Sequence, residues 1–64
     1  MYIYYNNEKV QVQNDATLKS VIEQFEIIEH KAVWLNGQHV PLSDFDRIVK
    51  VNDHIKVVRI RGGG

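Results

Sequence analysis

One helix-like segment stands between two strand-like regions in this sequence. In "ATLKSVIEQF" the apolar residues recur at intervals of three and four, at Leu18, Val21, Ile22 and Phe25. This spacing puts them on one stripe of a helix from about Leu18 to Glu26, and Thr17 is a suitable N-cap. A single amphipathic helix has one apolar face to bury, so the rest of the chain must supply a sheet that this face can cover.

Strand-like runs lie on both sides of that helix, at residues 2–5, 10–13, 32–35, 38–40 and 55–60. Asn6-Asn7 predicts a turn within the first pair. Asn36-Gly37 predicts a tight hairpin within the second, because both residues tolerate the positive φ of a type I′ turn. The order β-β-α-β-β-β predicts an α+β fold, with one helix packed across a mixed sheet of four to five strands. In such a sheet the first and last strands can lie side by side at the centre.

The segments between these elements predict the remaining core contacts. Ile27 and Ile28 follow the helix and are expected to close the core beneath the loop. Phe45 and Ile48 are the expected apolar anchors of the irregular segment after Pro41.

Size and charge exclude several classes of function. With 64 residues the chain has room for one domain and a small core, and with no cysteine it has neither a disulfide nor a thiol nucleophile. Eight basic residues balance eight acidic ones, so nucleic-acid binding is not expected. No apolar run approaches the roughly 18 residues of a membrane span. A cytoplasmic protein that binds no membrane is expected.

The last strand contains apolar residues on both of its faces. Alternation places Ile55 and Val57 on one face and Val58 and Ile60 on the other. Because one helix covers only one face of a sheet, Val58 and Ile60, with Arg59 and Arg61, form a candidate partner-docking face. The alternative is that Val58 and Ile60 are ordinary exposed residues and that both arginines lie along a solvated strand edge.

No catalytic residue and no metal site are predicted within the chain. His30, His39 and His54 lack the short spacing of metal ligands. Ser20 falls inside the predicted helix, and Ser43 is expected to organise the turn after Pro41. Trp34 is expected to pack on a neighbouring residue of the sheet.

Several motifs in order resemble one family. They are the strand at Ile3–Tyr5, the helix entry "ATLKSVIEQF", "VWLNGQHVP", "VNDHIKVV" and the glycine end "GGG". Together they resemble the β-grasp sulfur carrier proteins, and in particular the small carrier of thiamin biosynthesis. The segment "RIRGGG" is also similar to the tail of ubiquitin.

The resemblance implies a carrier that is a protein co-substrate and not an enzyme. An E1-like adenylyltransferase would use ATP to adenylate the C-terminal carboxylate, and sulfur derived from cysteine through a cysteine desulfurase would convert it to a thiocarboxylate. The thiocarboxylate would then supply thiazole synthase. Gly64 would hold the reactive carboxylate, while Gly62 and Gly63 thread into a partner's channel. The carrier itself would bind no cofactor, and ATP would be consumed by its activating partner.

This interpretation divides the chain into a β-grasp domain at residues 1–61 and a flexible glycine tail at 62–64. The family pattern ends in two glycines, whereas this sequence has three, so the reactive residue would change if the natural end differed. Two alternatives remain. One is a carrier of the molybdopterin-synthase type, and the other is a ubiquitin-like interaction module that docks through Val58 and Ile60 without tail chemistry.

Overall fold

The computed structural model describes residues 1–60 of the chain. The elements follow the predicted order: β1 (Tyr2–Tyr5), β2 (Glu8–Gln11), α1 (Leu18–Phe25), β3 (Lys31–Leu35), β4 (Gln38–Val40), a 3-10 turn (Leu42–Asp44) and β5 (His54–Arg59). The five strands form one sheet, so the α+β architecture is confirmed at the upper end of the expected strand number.

The strand order across the sheet is β2-β1-β5-β3-β4. The central strands β1 and β5 run parallel, with Tyr4 opposite His54 and Tyr5 opposite Ile55. Every other neighbouring pair is antiparallel. The two predicted hairpins therefore flank a central pair made from the first and last strands, as the sequence indicated.

Both hairpin turns use residues with positive φ. Asn6 and Asn7 have φ of 49° and 70°, and Asn36 and Gly37 have φ of 52° and 84°. Two successive residues in this region define the type I′ turn, whose twist matches that of the flanking strands. Asparagine tolerates this conformation better than other residues with a side chain, which explains its place at three of the four positions.

The helix begins where the sequence predicted and ends one residue earlier, at Phe25. The Thr17 side chain accepts a hydrogen bond from the Ser20 N–H, while Ser20 Oγ accepts one from the Thr17 N–H. This reciprocal arrangement is a capping box. The N–H groups of Leu18 and Lys19 donate to carbonyls of the segment after the 3-10 turn. Ser20 therefore has a structural role at the helix start.

The core lies between the helix and one face of the sheet. Its buried side chains are Ile3, Tyr5, Val12, Leu18, Val21, Ile22, Val33, Leu35, Val40, Phe45, Val49, Ile55 and Val57. The prediction for Phe45 is confirmed, and Ile28 packs partly buried against this cluster.

The predicted burial of two residues, Ile27 and Ile48, is wrong. Ile27 is 72% exposed, because the backbone becomes extended at Glu26 where the helix ends, and Ile28 instead of Ile27 packs against the core. Ile48 is half exposed and the adjacent Val49 is buried in its place. An isolated bridge pairs Ile48 with Thr17, and the Val49 N–H donates to the Ala16 carbonyl. This short extended pairing alternates the side chains, so only Val49 points inward.

Candidate functional site

The candidate site is the second half of β5, directly before the glycine-rich residues in the sequence. Strand β3 pairs with β5 along almost its whole length, from Leu35 opposite Ile55 to Lys31 opposite Arg59. Strand β1 pairs with β5 only at the first two positions. Residues 56–59 consequently have a strand on one side only among the described residues.

The side chain of Asn6 ends the pairing between β1 and β5. The Asn6 N–H donates to the Ile55 carbonyl at 2.8 Å. Asn6 Oδ1 then accepts from the Val57 N–H, also at 2.8 Å. A side-chain oxygen thus occupies the position of the next backbone carbonyl, while the positive φ of Asn6 turns the backbone away towards β2.

On its other side, the end of β5 is fixed by the loop that precedes β3. The Ile60 N–H donates to the His30 carbonyl at 2.8 Å, and His30 has a φ of 58°. Lys31 Nζ donates to the carbonyls of Ile27 and Glu29 at 2.9 and 3.3 Å, which holds this loop in place. The position at which the chain leaves the sheet is therefore defined through residue 60.

Of the four residues of the predicted docking face, the structure describes Val58, Arg59 and Ile60. Val58 and Ile60 are 42% and 51% exposed, and alternation places both on the open side of the sheet. Arg59 lies opposite Lys31 and alternates to the side that the helix covers. Arg61 lies outside the described residues, as do Gly62, Gly63 and Gly64, the predicted tail positions.

The open side of the sheet also contains a set of aromatic and basic side chains that the sequence analysis did not bring together. Tyr4 and His54 stack with ring centroids 4.5 Å apart, and Lys9 lies 4.8 Å from the centroid of the Tyr2 ring. We name the open face by its members: Tyr2, Tyr4, Lys9, Gln11, Ala32, Trp34, His39, His54, Lys56, Val58 and Ile60. The signal available in the sequence was the alternation of side chains along each strand, which already separated Tyr2 and Tyr4 from Ile3 and Tyr5.

A groove of about 580 Å³ crosses β5 on this side. The Asn6-Asn7 turn lines one wall and Trp34 lines the opposite one, with Lys56 and Val58 between them. Trp34 meets the ring of His39 edge-on at 5.5 Å, in agreement with the prediction that it packs on a neighbour. The groove can accept an extended chain or a side chain from another molecule.

Residues 1–60 contain neither a candidate membrane span nor a candidate metal site. No helix there is both long and apolar enough to cross a membrane. No group of three or more histidine, aspartate or glutamate side chains lies close enough to hold a metal ion. His39 and His54 instead contact aromatic rings of the open face.

Comparison with known structures identifies the fold. The chain is similar along its full length to the thiamine biosynthesis protein ThiS from Geobacter metallireducens, with 23% sequence identity, a TM-score of 0.83 and 100% of each chain covered. It is also similar to SAMP1 from Haloferax volcanii, with 16% identity and a TM-score of 0.63 over 100% of this chain and 98% of that one. No protein-family model and no curated protein sequence matches. The β-grasp fold predicted from the sequence is confirmed.

Proposed function

We propose that this protein is a sulfur carrier of thiamin biosynthesis. An E1-like adenylyltransferase activates the C-terminal carboxylate: a carboxylate oxygen attacks the α-phosphorus of ATP, and pyrophosphate leaves. Sulfur derived from cysteine by a desulfurase then displaces AMP to give a thiocarboxylate. Thiazole synthase receives this sulfur. The full-length likeness to ThiS is the observation that supports the proposal most directly.

The position of the glycines suits this role. Gly62, Gly63 and Gly64 follow β5 after only two further residues. Four residues from Arg61 onward reach about 14 Å when extended, at roughly 3.3–3.6 Å each. The absence of Cβ atoms lets such a segment enter a narrow channel in a partner, and Gly64 presents the reacting carbonyl there.

The carrier is a co-substrate in this scheme. The partner holds ATP and its metal ion and performs the adenylation, so the carrier needs no bound cofactor. Because the reaction consumes ATP and free cysteine, the proposal places the carrier in the cytoplasm. A carrier of the molybdopterin-synthase type would use the same tail chemistry with a different acceptor.

A second candidate is an interaction module without tail chemistry. The exposure of Val58 and Ile60 beside the groove favours it, since neither apolar side chain has a covering layer among residues 1–60. The carrier needs its glycines for the reaction, whereas the interaction module needs them neither for a reaction nor for partner binding.

Intact-protein mass spectrometry tests the proposed function. The purified chain is incubated with ATP, cysteine and an extract of its source cells, and its C-terminal peptide is fragmented. We expect a mass gain equal to one oxygen replaced by sulfur, localised to Gly64 and absent without ATP. The extract is first shown to thiocarboxylate a known carrier.

A deletion of Gly63 and Gly64 is the matched control. It should abolish the mass gain and leave the melting temperature nearly unchanged, because the buried core found within residues 1–60 extends from Ile3 to Val57. An unmodified full-length chain in the active extract contradicts the carrier function. Partner binding that survives the deletion, together with an unmodified full-length chain, favours the interaction module.

A further inference from the structure

The open face of this neutral chain carries basic side chains but no acidic side chain from a strand. Lys9 and Lys56 lie on the open face, opposite Tyr4 and Trp34. Of the acidic residues, Glu8 is the only one within a strand, and it lies opposite the buried Tyr5, on the helix side. The others lie in the helix, the loops and the turns. The open face is therefore cationic although the whole chain has no net charge.

Beyond Asn6, one edge of β5 has no neighbouring strand among the described residues. The bonds from Asn36 N–H to the His54 carbonyl and from Ile60 N–H to the His30 carbonyl show that even-numbered residues of β5 pair with β3. Odd-numbered residues pair on the other side, where Asn6 contacts Ile55 and Val57. The Val57 carbonyl and the Arg59 N–H face the same side, past the end of β1. This carbonyl and this N–H can therefore form backbone hydrogen bonds with one additional strand.

The rings of the open face are arranged unfavourably for stacking nucleic-acid bases. His54 covers a face of the Tyr4 ring, with only 13° between the two planes. Lys9 covers a face of the Tyr2 ring. Base stacking needs exposed ring faces along a strongly basic track, whereas this face has two lysines. Apolar and cationic side chains beside a free strand edge fit a protein segment better.

We propose that this edge binds an extended, acidic segment of a partner protein. The segment adds as a strand beside Val57–Arg59 and exchanges backbone hydrogen bonds with the Val57 carbonyl and the Arg59 N–H. Its alternate side chains reach the groove, where a carboxylate pairs with Lys56 and an apolar side chain packs on Val58 and Trp34. This inference is independent of the tail chemistry, because it concerns residues 54–60 and applies equally to a carrier or to an interaction module.

Nuclear magnetic resonance with a synthetic peptide tests the inference. The probe is an N-acetylated nine-residue peptide with serine at its odd positions and glutamate, valine, glutamate and valine at its even positions, so that both side-chain types lie on one face of the strand. It is titrated into the full-length, isotopically labelled chain. We expect the amide signals of Lys56, Val58 and Arg59 to shift most, and the Arg59 amide to exchange more slowly with solvent. Signals of α1, on the other layer, should stay in place.

Two matched peptides separate the contributions. A peptide with lysine in place of glutamate should bind at least about fivefold more weakly, because its charges oppose those of the open face. A peptide with proline in place of both valines lacks donors for the strand pairing and should lose the protection of the Arg59 amide. Equal binding of all three peptides, or no shift at millimolar peptide, overturns the inference.

Two variants with the same charge change complete the test. Lys56→Glu should weaken binding of the glutamate peptide about tenfold, since it puts a like charge in the groove. Lys19→Glu changes an exposed residue of α1 and should leave binding unchanged. Equal effects of the two variants contradict a specific role of Lys56.

Two further titrations identify other occupants of the edge. If an oligothymidylate shifts the signals of β5 and the peptide does not, the occupant is nucleic acid. If raising the protein concentration alone shifts them, the occupant is a second copy of the chain. Either result overturns the inference.

Discussion

The two faces of the sheet are built from the same strands and differ in what holds their side chains. The helix-covered face presents aliphatic residues such as Ile3, Val33 and Ile55, all nearly inaccessible to solvent. The open face presents rings and lysines in cross-strand pairs, such as Tyr4 with His54. Burial of the first face stabilises the fold, whereas the second face contributes little burial. Substitutions on the open face should therefore cost little stability, which leaves its residues available for binding.

Replacing a residue of the covered face should have the largest effect. Ile3 is fully buried on that face, and Ile3→Ala should lower the free energy of unfolding by about 2–5 kcal/mol through lost burial and a residual cavity. Val58→Ala removes a partly exposed side chain from the open face and should cost about 0.5 kcal/mol or less. Urea denaturation of both variants measures this difference, and equal losses would contradict the division between the two faces.

Asn6 lies at the boundary between β1 and the free edge of β5, and its replacement should have an intermediate effect. Asn6→Gly keeps the positive φ and removes the acceptor of the Val57 N–H, which should cost about 1–2 kcal/mol. Asn6→Asp keeps an acceptor oxygen and should lose less stability. Urea denaturation together with hydrogen exchange at the Val57 amide distinguishes them. If both variants lose equally, the bond to Val57 contributes nothing.

The smallest effect is expected within the open face. The stacked rings of Tyr4 and His54 should show a coupling free energy of about 0.5 kcal/mol in a double-mutant cycle of Tyr4→Ala and His54→Ala. Chemical denaturation at one fixed pH measures it. Strict additivity of the two substitutions would show that the stacked geometry adds nothing to stability.

Periodicity was sufficient to predict the elements and their order. The stripe from Leu18 to Phe25 gave the helix, and Asn6-Asn7 and Asn36-Gly37 gave both hairpins, because each of these signals is local in sequence. Ile27 and Ile48 were misplaced because loop residues have no period from which burial can be inferred. Their positions depend on where the helix ends and on the bridge between Ile48 and Thr17.

The open face could not be assembled from the sequence in the same way. Tyr4 meets His54 only because the first and last strands pair in parallel with a particular register. The balance of eight acidic and eight basic residues likewise gave no sign that Lys9 and Lys56 would share a face with no acidic strand residue. The roles of Gly62, Gly63 and Gly64 stay predictions, since they lie outside the described residues.

The parallel pairing of the first and last strands also affects how the protein folds. Asn6 and Val57 are hydrogen-bonded across 51 positions of a short chain, so most of the polypeptide must form a closed loop before the centre of the sheet exists. Such a high contact order slows folding. During synthesis, β1 cannot pair with β5 until β5 has left the ribosome. A nascent chain that stalls before Ile55 would present the unpaired side of β1 to other chains and would tend to aggregate.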